Sequence, residues 1–297
     1  WALSHQGLSL AAKLHPLTNR GVMVPKRFTT YLLALSCNVF SMASTAQTMF
    51  NANHPHVLAA SFAPTGNLRA SINLGNPILA YRSDDGQVTG VSVDLAQSLA
   101  QRLGLNLSLV VFESAGKSVE AVTNHQADIG FFAVDPVRGQ GIAFTAPYVL
   151  IEGSYLVHQN SPIQSITEVD RAGNRIAVGQ GSAYDLYLTR ELKIAHLHRA
   201  PTSPTTVDYF IQEQLEVAAG VKQQLEMDAQ RIPGLRLLPG RFMVIEQAMG
   251  LPKDRPAAAQ NYLRQFIEDM KSTGMVSSAL KKHRIEGAIV APAHQAP

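Results

Sequence analysis

From Gly66 onward the chain alternates between short apolar runs and amphipathic stretches. Residues 68–74 read as a strand, closed by Gly75-Asn76-Pro77, and a short extended piece follows with its turn at residues 86–90. Leu95, Leu99 and Leu103, with Ala96 and Ala100, recur at helical spacing, and Gly104 is placed to cap that helix. A strand over 105–112, a short helix over 116–126 and a strand over 128–134 complete a βαβαβ unit. That order predicts a parallel sheet with helices on its faces.

The rhythm then restarts. An extended run ends at Pro147-Tyr148, another extended piece covers 153–158, and strands are expected at 175–178, 195–199, 216–221 and 235–238. Helices are expected at 183–192, 205–214 and 222–230. A longer strand over 242–251 leads back to helices at 256–272 and 275–283. Two extended crossings, near residues 148–153 and 246–251, would join two lobes and leave a cleft able to close on a small molecule. The expected lobes are 65–150 with 246–285, and 151–245. Residues 47–64 have no clear period and read as a loose lead-in, and the Ala/Pro-rich 286–297 reads as a mobile tail.

The first 46 residues read differently. Lys26 and Arg27 follow Met23, residues 29–43 are mostly apolar, and Ser44-Thr45-Ala46 offers a small-residue cleavage site before Gln47. This predicts a secretory signal and a periplasmic protein; residues 1–22 carry no assignable role. The competing reading is a buried N-terminal helix. The full sequence has 25 basic and 22 acidic residues, a net charge of +3. Removing the first 46 residues takes away Lys13, Arg20, Lys26 and Arg27 and no acid, so 21 bases face 22 acids and the charge becomes −1. The positive balance is therefore no argument for nucleic-acid binding. Cys37, the only cysteine, lies in the apolar stretch, and Ala34-Leu35-Ser36 before it is a poor context for lipid attachment.

The candidate chemistry centres on Arg138. It stands a few residues past an apolar strand, where open α/β sheets bind ligands, and its planar fork suits a carboxylate. An ordinary surface arginine is the competing reading. Gly179-Gln180-Gly181-Ser182 leads into a helix whose N-terminus would carry unpaired N–H donors and partial positive charge. Ser182 capping that helix and binding an anion are compatible roles. His54 with His56, and His196 with His198, have no third ligand in sequence, so no metal is expected. The sequence has no HExxH, P-loop or Ser-His-Asp order, and no cofactor is implied.

These pieces together resemble the periplasmic solute-binding proteins of polar amino acid ABC importers, the type II, family 3 group. The resemblance runs over about residues 66–284. It rests on GNLRASINLGNP, GVSVDLAQSLAQRLG, ADIGFF followed by DPVRGQGIAFTAPY, SPIQSITEVDRAGNRIAVGQGSAYDLYL, and the strand before LPKD. It implies a two-lobed α/β fold, a small carboxylate-bearing ligand, a membrane permease as partner, and no catalysis. A monomer is expected. It also implies that Arg138 clamps the ligand's carboxylate and that the backbone of Gly181, Ser182 and Ala183 meets the same group.

Departures from the family pattern are equally informative. Where an acid usually holds the ligand's ammonium group stands Val221, with Lys222 beside it. Where an aromatic usually covers the ligand stand Ala115-Gly116-Lys117. The 128–138 segment is about two residues shorter than usual, with Ala133 and Asp135 in place of hydroxyl side chains. Asn73 and Asn76 replace an acid and an aromatic. Lys117 and Lys222 would favour a second anionic group if they faced the cleft, and would otherwise be solvated. Tyr148, Glu152, Glu246 and Gln247 are further candidates, the glutamates equally suited to pairing with Arg171 or Arg241. Tyr184 is a lesser candidate, and Phe131 and Phe132 read as core. The alternative function is a secreted enzyme resembling cyclohexadienyl dehydratases, with Glu152 or Glu246 as general acid. A sensory module of the same fold ranks last.

Overall fold

The computed structural model describes residues 54–294; the signal-like segment and Cys37 lie outside the described residues. The chain runs through α1 (His54–Phe62), β1 (Asn67–Asn73), the hairpin of β2 (Tyr81–Arg82) and β3 (Val88–Thr89), α2 (Val91–Leu103), β4 (Asn106–Phe112), α3 (Ala115–Thr123) and β5 (Ile129–Ala133). The long β6 (Ile142–His158) then crosses the molecule. It is followed by β7 (Arg175–Gly179), α4 (Ala183–Glu191), β8 (His196–Ala200), α5 (Thr206–Gln212), β9 (Val217–Val221), α6 (Lys222–Arg231) and β10 (Leu235–Leu237). The return strand β11 (Met243–Pro252) leads to α7 (Ala257–Ser272), α8 (Met275–Lys282) and β12 (Ile289–Val290).

One sheet carries both halves, in the order β4-β1-β5-β11-β6-β9-β7-β8. The strands β4-β1-β5 are mutually parallel, as are β9-β7-β8. Each half thus repeats one arrangement, with its first strand central and its second outermost. Antiparallel β6 and β11 lie between the two halves. This is the expected α/β architecture, and the described residues belong to one compact unit. Among the described residues, no helix is long and apolar enough to cross a membrane.

Local chemistry explains the elements. Every residue of β5, Ile-Gly-Phe-Phe-Ala, is buried, as a parallel strand covered on both faces requires. The α2 stripe places Leu95, Leu99, Ala96 and Ala100 at 0% exposure, and each such leucine contributes about 1.5–3 kcal/mol by leaving water. Gly104 ends α2 in the left-handed conformation, its N–H donating to the Ala100 and Gln101 carbonyls. Buried Asp128 ties the base of the first half together, accepting from Arg69 at 2.8 Å and Arg255 at 2.9 Å.

Three expectations need correction. The two extended pieces before and after residue 150 are a single 17-residue strand, β6. Its Pro147 sits opposite Ala248 at a register shift, where the missing N–H costs no regular ladder bond. The lead-in is not loose throughout: α1 ends on Phe62, 1% exposed, whose ring packs edge-on against Tyr262. Of the expected mobile tail, residues 289–292 are held. β12 pairs with β6 at Leu150 and Val149, Ala291 N–H donates to the Tyr148 carbonyl, and Lys271 Nζ donates to the Pro292 carbonyl.

Candidate functional site

Where β5 ends, the chain turns through Val134-Asp135-Pro136-Val137. The Asp135 carboxylate fixes that turn by accepting from Val137 N–H at 2.8 Å, and its second oxygen pairs with Arg190 Nη1 at 2.8 Å. The turn swings Arg138 back over the strand end. Its guanidinium donates to the Ala133 carbonyl at 3.1 Å and to the Gly181 carbonyl, from the other half, at 2.9 Å. Arg138 is only 5% exposed, and among the described residues no carboxylate lies within ion-pair distance of it. Burial pulls its pKa down to about 10, while nearby Asp135 acts in the opposite direction. A buried cation whose hydrogen-bond acceptors are neutral carbonyls is an incomplete arrangement, and an anion would complete it.

Two helix N-termini converge on the same place. α3 is capped by Ser114, which accepts from Lys117 N–H, and α4 by Ser182, which accepts from Asp185 N–H at 3.0 Å. Gly181 adopts φ +70°, and a methyl group built on it would lie 3.4 Å from the Gly116 Cα. A side chain there would be strained by that backbone conformation, although a Cβ itself would meet only ordinary contacts. The backbone donors differ from the sequence expectation. Gly181 N–H is taken by the Asp185 carboxylate at 2.9 Å and Ser182 N–H by the Gly179 carbonyl at 3.1 Å. Among the described residues, the N–H groups of Ala115, Gly116, Ala183 and Tyr184 find no acceptor. These are the first two donors of each helix, where the partial positive charge is concentrated.

The cavity between them is narrow: about 40 Å³ is open to the centres of water-sized molecules, room for a few waters or a small polar group. Arg138 lines it together with the uncharged polar residues Asn73, Asn76, Ser92, Ser182, Ser203 and Gln247. Leu79, Phe131, Phe132, Val221 and Ile245 supply most of the apolar wall, with Tyr184 and the alanines 115, 133 and 183. Asn73 Oδ1 is occupied by Gly75 N–H at 2.9 Å, whereas Asn76 Oδ1 is buried without a hydrogen-bond partner. Among the described residues, no Asp, Glu, Lys or His lines this cavity.

Of the residues singled out in sequence, Arg138, Asn73, Asn76, Ser182, Ala183, Val221, Gln247 and Tyr184 come together here. Gly181 contributes its carbonyl to Arg138. Five do not reach the wall. Lys117 is 71% exposed and pairs with Glu120. Lys222 pairs with Glu152, which also holds Arg241 at 2.7 Å, so both belong to a separate surface cluster. Arg241, then Lys222, holds the Glu152 carboxyl below its usual pKa. The Glu246 side chain is exposed, and its backbone carbonyl accepts from Val134 N–H. Tyr148 is fully buried behind the wall, its ring edge-on to Phe131, with burial raising its phenol pKa. Phe131 and Phe132 are buried as expected and also face the cavity. Ser92, Ser203, Leu79 and Ile245 carried no sequence signal.

Comparison with known proteins places this geometry. Residues 68–285 match the bacterial extracellular solute-binding proteins, family 3. A cyclohexadienyl dehydratase of Pseudomonas aeruginosa is 22% identical over 265 residues, covering 87% of this chain and 95% of its own. The L-cystine-binding protein TcyJ of Escherichia coli K12 is 25% identical over 147 residues, covering 47% of this chain and 53% of its own. Among solved structures, a solute receptor for L-cysteine from Neisseria gonorrhoeae superposes with a TM-score of 0.67 at 21% identity, covering 77% of this chain and 94% of that one. The fold is that of type II periplasmic binding proteins. The matched stretch spans both halves of the sheet and the cavity they share: the chain belongs to the bacterial extracellular solute-binding proteins of family 3.

Proposed function

We propose that this protein binds a small carboxylate-bearing molecule in the Arg138 cavity and delivers it, as a periplasmic monomer, to the permease of an ABC importer. The observation that carries the reading is the guanidinium of Arg138, 5% exposed and without an acid partner among the described residues, at a cavity lined by the first residues of two helices, Ala115 of one and Ala183 and Tyr184 of the other. Three positive features around one enclosure favour an anion. The Arg138–Gly181 hydrogen bond and the Asp135–Arg190 pair reach between the halves, in keeping with lobes that shut around a ligand. On this reading β6 and β11 act as the hinge.

Arg138→Ala should abolish binding of every carboxylate that shifts the melting temperature of the wild type, because ligand stabilises only the folded state. The variant's own fold, followed by circular dichroism, should survive. Retained binding in folded Arg138→Ala would remove the arginine from the site.

A second reading is an enzyme, favoured by the likeness to cyclohexadienyl dehydratase over 95% of that protein's length. Elimination of water needs a proton donor beside the leaving group. The cavity wall carries no carboxyl or imidazole, and Glu152 is held ionised by two cations outside it. Turnover of a cyclohexadienyl carboxylic acid by the purified protein would establish that reading; saturable binding without turnover supports transport.

A further inference from the structure

The charges around the cavity do not balance for a zwitterion. Among the described residues its wall holds one guanidinium and two helix N-termini, all positive, and no carboxylate. Of the acids closest in sequence to the wall residues, Asp94, Asp135 and Asp185 are engaged elsewhere, and Glu113, two residues before Ala115, is exposed. Asp135 serves Val137 N–H and Arg190, and Asp185 serves Gly181 N–H and Arg199. The Glu246 side chain is exposed. An ammonium group brought into this enclosure would be desolvated beside like charge with no counter-ion, which is unfavourable. A monoanion carrying an uncharged α-substituent would neutralise Arg138 and leave no charge unpaired.

The neutral polar groups fit such a substituent. Asn76 Oδ1 is buried and unpartnered, and the Gln247 amide, 6% exposed, faces the same space. An asparagine amide can present an acceptor to a hydroxyl or, with the amide turned over, a donor to a carbonyl. Beyond them Leu79, Phe131, Val221 and Ile245 offer an apolar wall to an uncharged side group.

We propose that the site selects small monocarboxylates whose α-substituent is an uncharged oxygen, namely 2-hydroxy or 2-oxo acids with an apolar side group, over the corresponding amino acids. This selectivity rests on the carboxylate-binding reading of the Arg138 cavity and specifies its ligand class. Val221 is the residue that enforces it. It lines the cavity, ends β9 and stands at the N-cap of α6, where an aspartate would be well accommodated.

The test is isothermal titration with acids that share a side group: L-leucine, 4-methyl-2-oxopentanoate and 2-hydroxy-4-methylpentanoate, then alanine, pyruvate and lactate. The oxo or hydroxy member should bind tighter than its amino acid by about tenfold or more. In Val221→Asp the order should reverse, the amino acid gaining and the deaminated acid losing affinity. Amino acids binding the wild type as tightly as their deaminated partners would overturn the selectivity while leaving Arg138 as a carboxylate clamp. An unchanged order in folded Val221→Asp would also count against it. If none of these acids binds, the carboxylate reading itself falls, and the selectivity with it.

Discussion

Arg138 is a buried charge on the wall of the candidate cavity, and its environment makes a prediction about pH. An exposed guanidinium keeps its proton throughout the accessible range. Here burial pulls the pKa down to about 10, because the charged form has lost water and gained only two carbonyl acceptors. A carboxylate ligand is ionised from weakly acidic pH upward, so the guanidinium alone sets the upper limit. Affinity should stay level between about pH 6 and 9, then fall by up to about tenfold per pH unit above 10 as the cation is lost. Titration calorimetry across that range, with circular dichroism to confirm folding, measures it. A steady decline beginning near neutrality would mean that some other group controls binding. Arg138 was legible in sequence because strand, turn and arginine are contiguous. The roles of Lys117 and Lys222 were not, since the first turn of a helix can face cleft or solvent with the same residues. Both turned outward to glutamates.

At the scale of elements, the start of α4 has two jobs that one substitution can separate. Ser182 Oγ caps the helix through Asp185 N–H, and the Asp185 carboxylate returns to Gly181 N–H. Ser182→Ala should cost about 1 kcal/mol of stability by removing the cap, read as a lower denaturation midpoint. Ser182→Asp retains a capping oxygen but brings negative charge to the cavity wall. Its stability should stay near that of the wild type while carboxylate affinity collapses. Equal binding by the aspartate variant would show that the helix end does not face the ligand. The helix itself was readable from its Gly-Ser entry, and most elements were readable for similar local reasons. Three were not. β6 looked like two pieces because Pro147 and Gly153 interrupt its pattern, although Gly153 is where the strand lies against both Met243 and Val221. α1 and β12 lack periodicity because tertiary contacts hold them, Phe62 against Tyr262 and Ala291 N–H against the Tyr148 carbonyl. The cavity's Ser92, Ser203 and Ile245 come from three distant segments, and only the folded sheet brings them to one wall.

For the whole molecule, the continuous sheet decides how acid should unfold it. Among the described residues six carboxylates titrate below their ordinary values, and in three of them the causes include a hydrogen-bonded arginine. Glu216 is held by Arg175 in the second half, Glu152 by Arg241 and Lys222 beside β6, and Asp269 on α7 by Gln265 and then Arg102. A carboxyl whose folded pKa is depressed contributes stability above its unfolded value, here 4.5 for Glu and 3.8 for Asp, and loses it as pH falls through the folded value. The pairs are partly exposed, so each contributes little and salt screens it. The melting temperature should therefore be nearly flat from about pH 8 to 5, fall below about pH 4, and fall less steeply from a lower plateau in high salt. A melting temperature that holds to pH 3 would show that these pairs are energetically silent. The shape of the transition carries further information. The pairs are spread over both halves, yet β6 hydrogen-bonds to β11 along one stretch and to β9 along the next. Weakening either half strips partners from a strand the other half needs, so the loss should appear as one cooperative unfolding step at every pH. Two resolved steps, with the Arg175–Glu216 side melting apart from the rest, would mean that β6 and β11 act as a linker between independent lobes and not as their shared core.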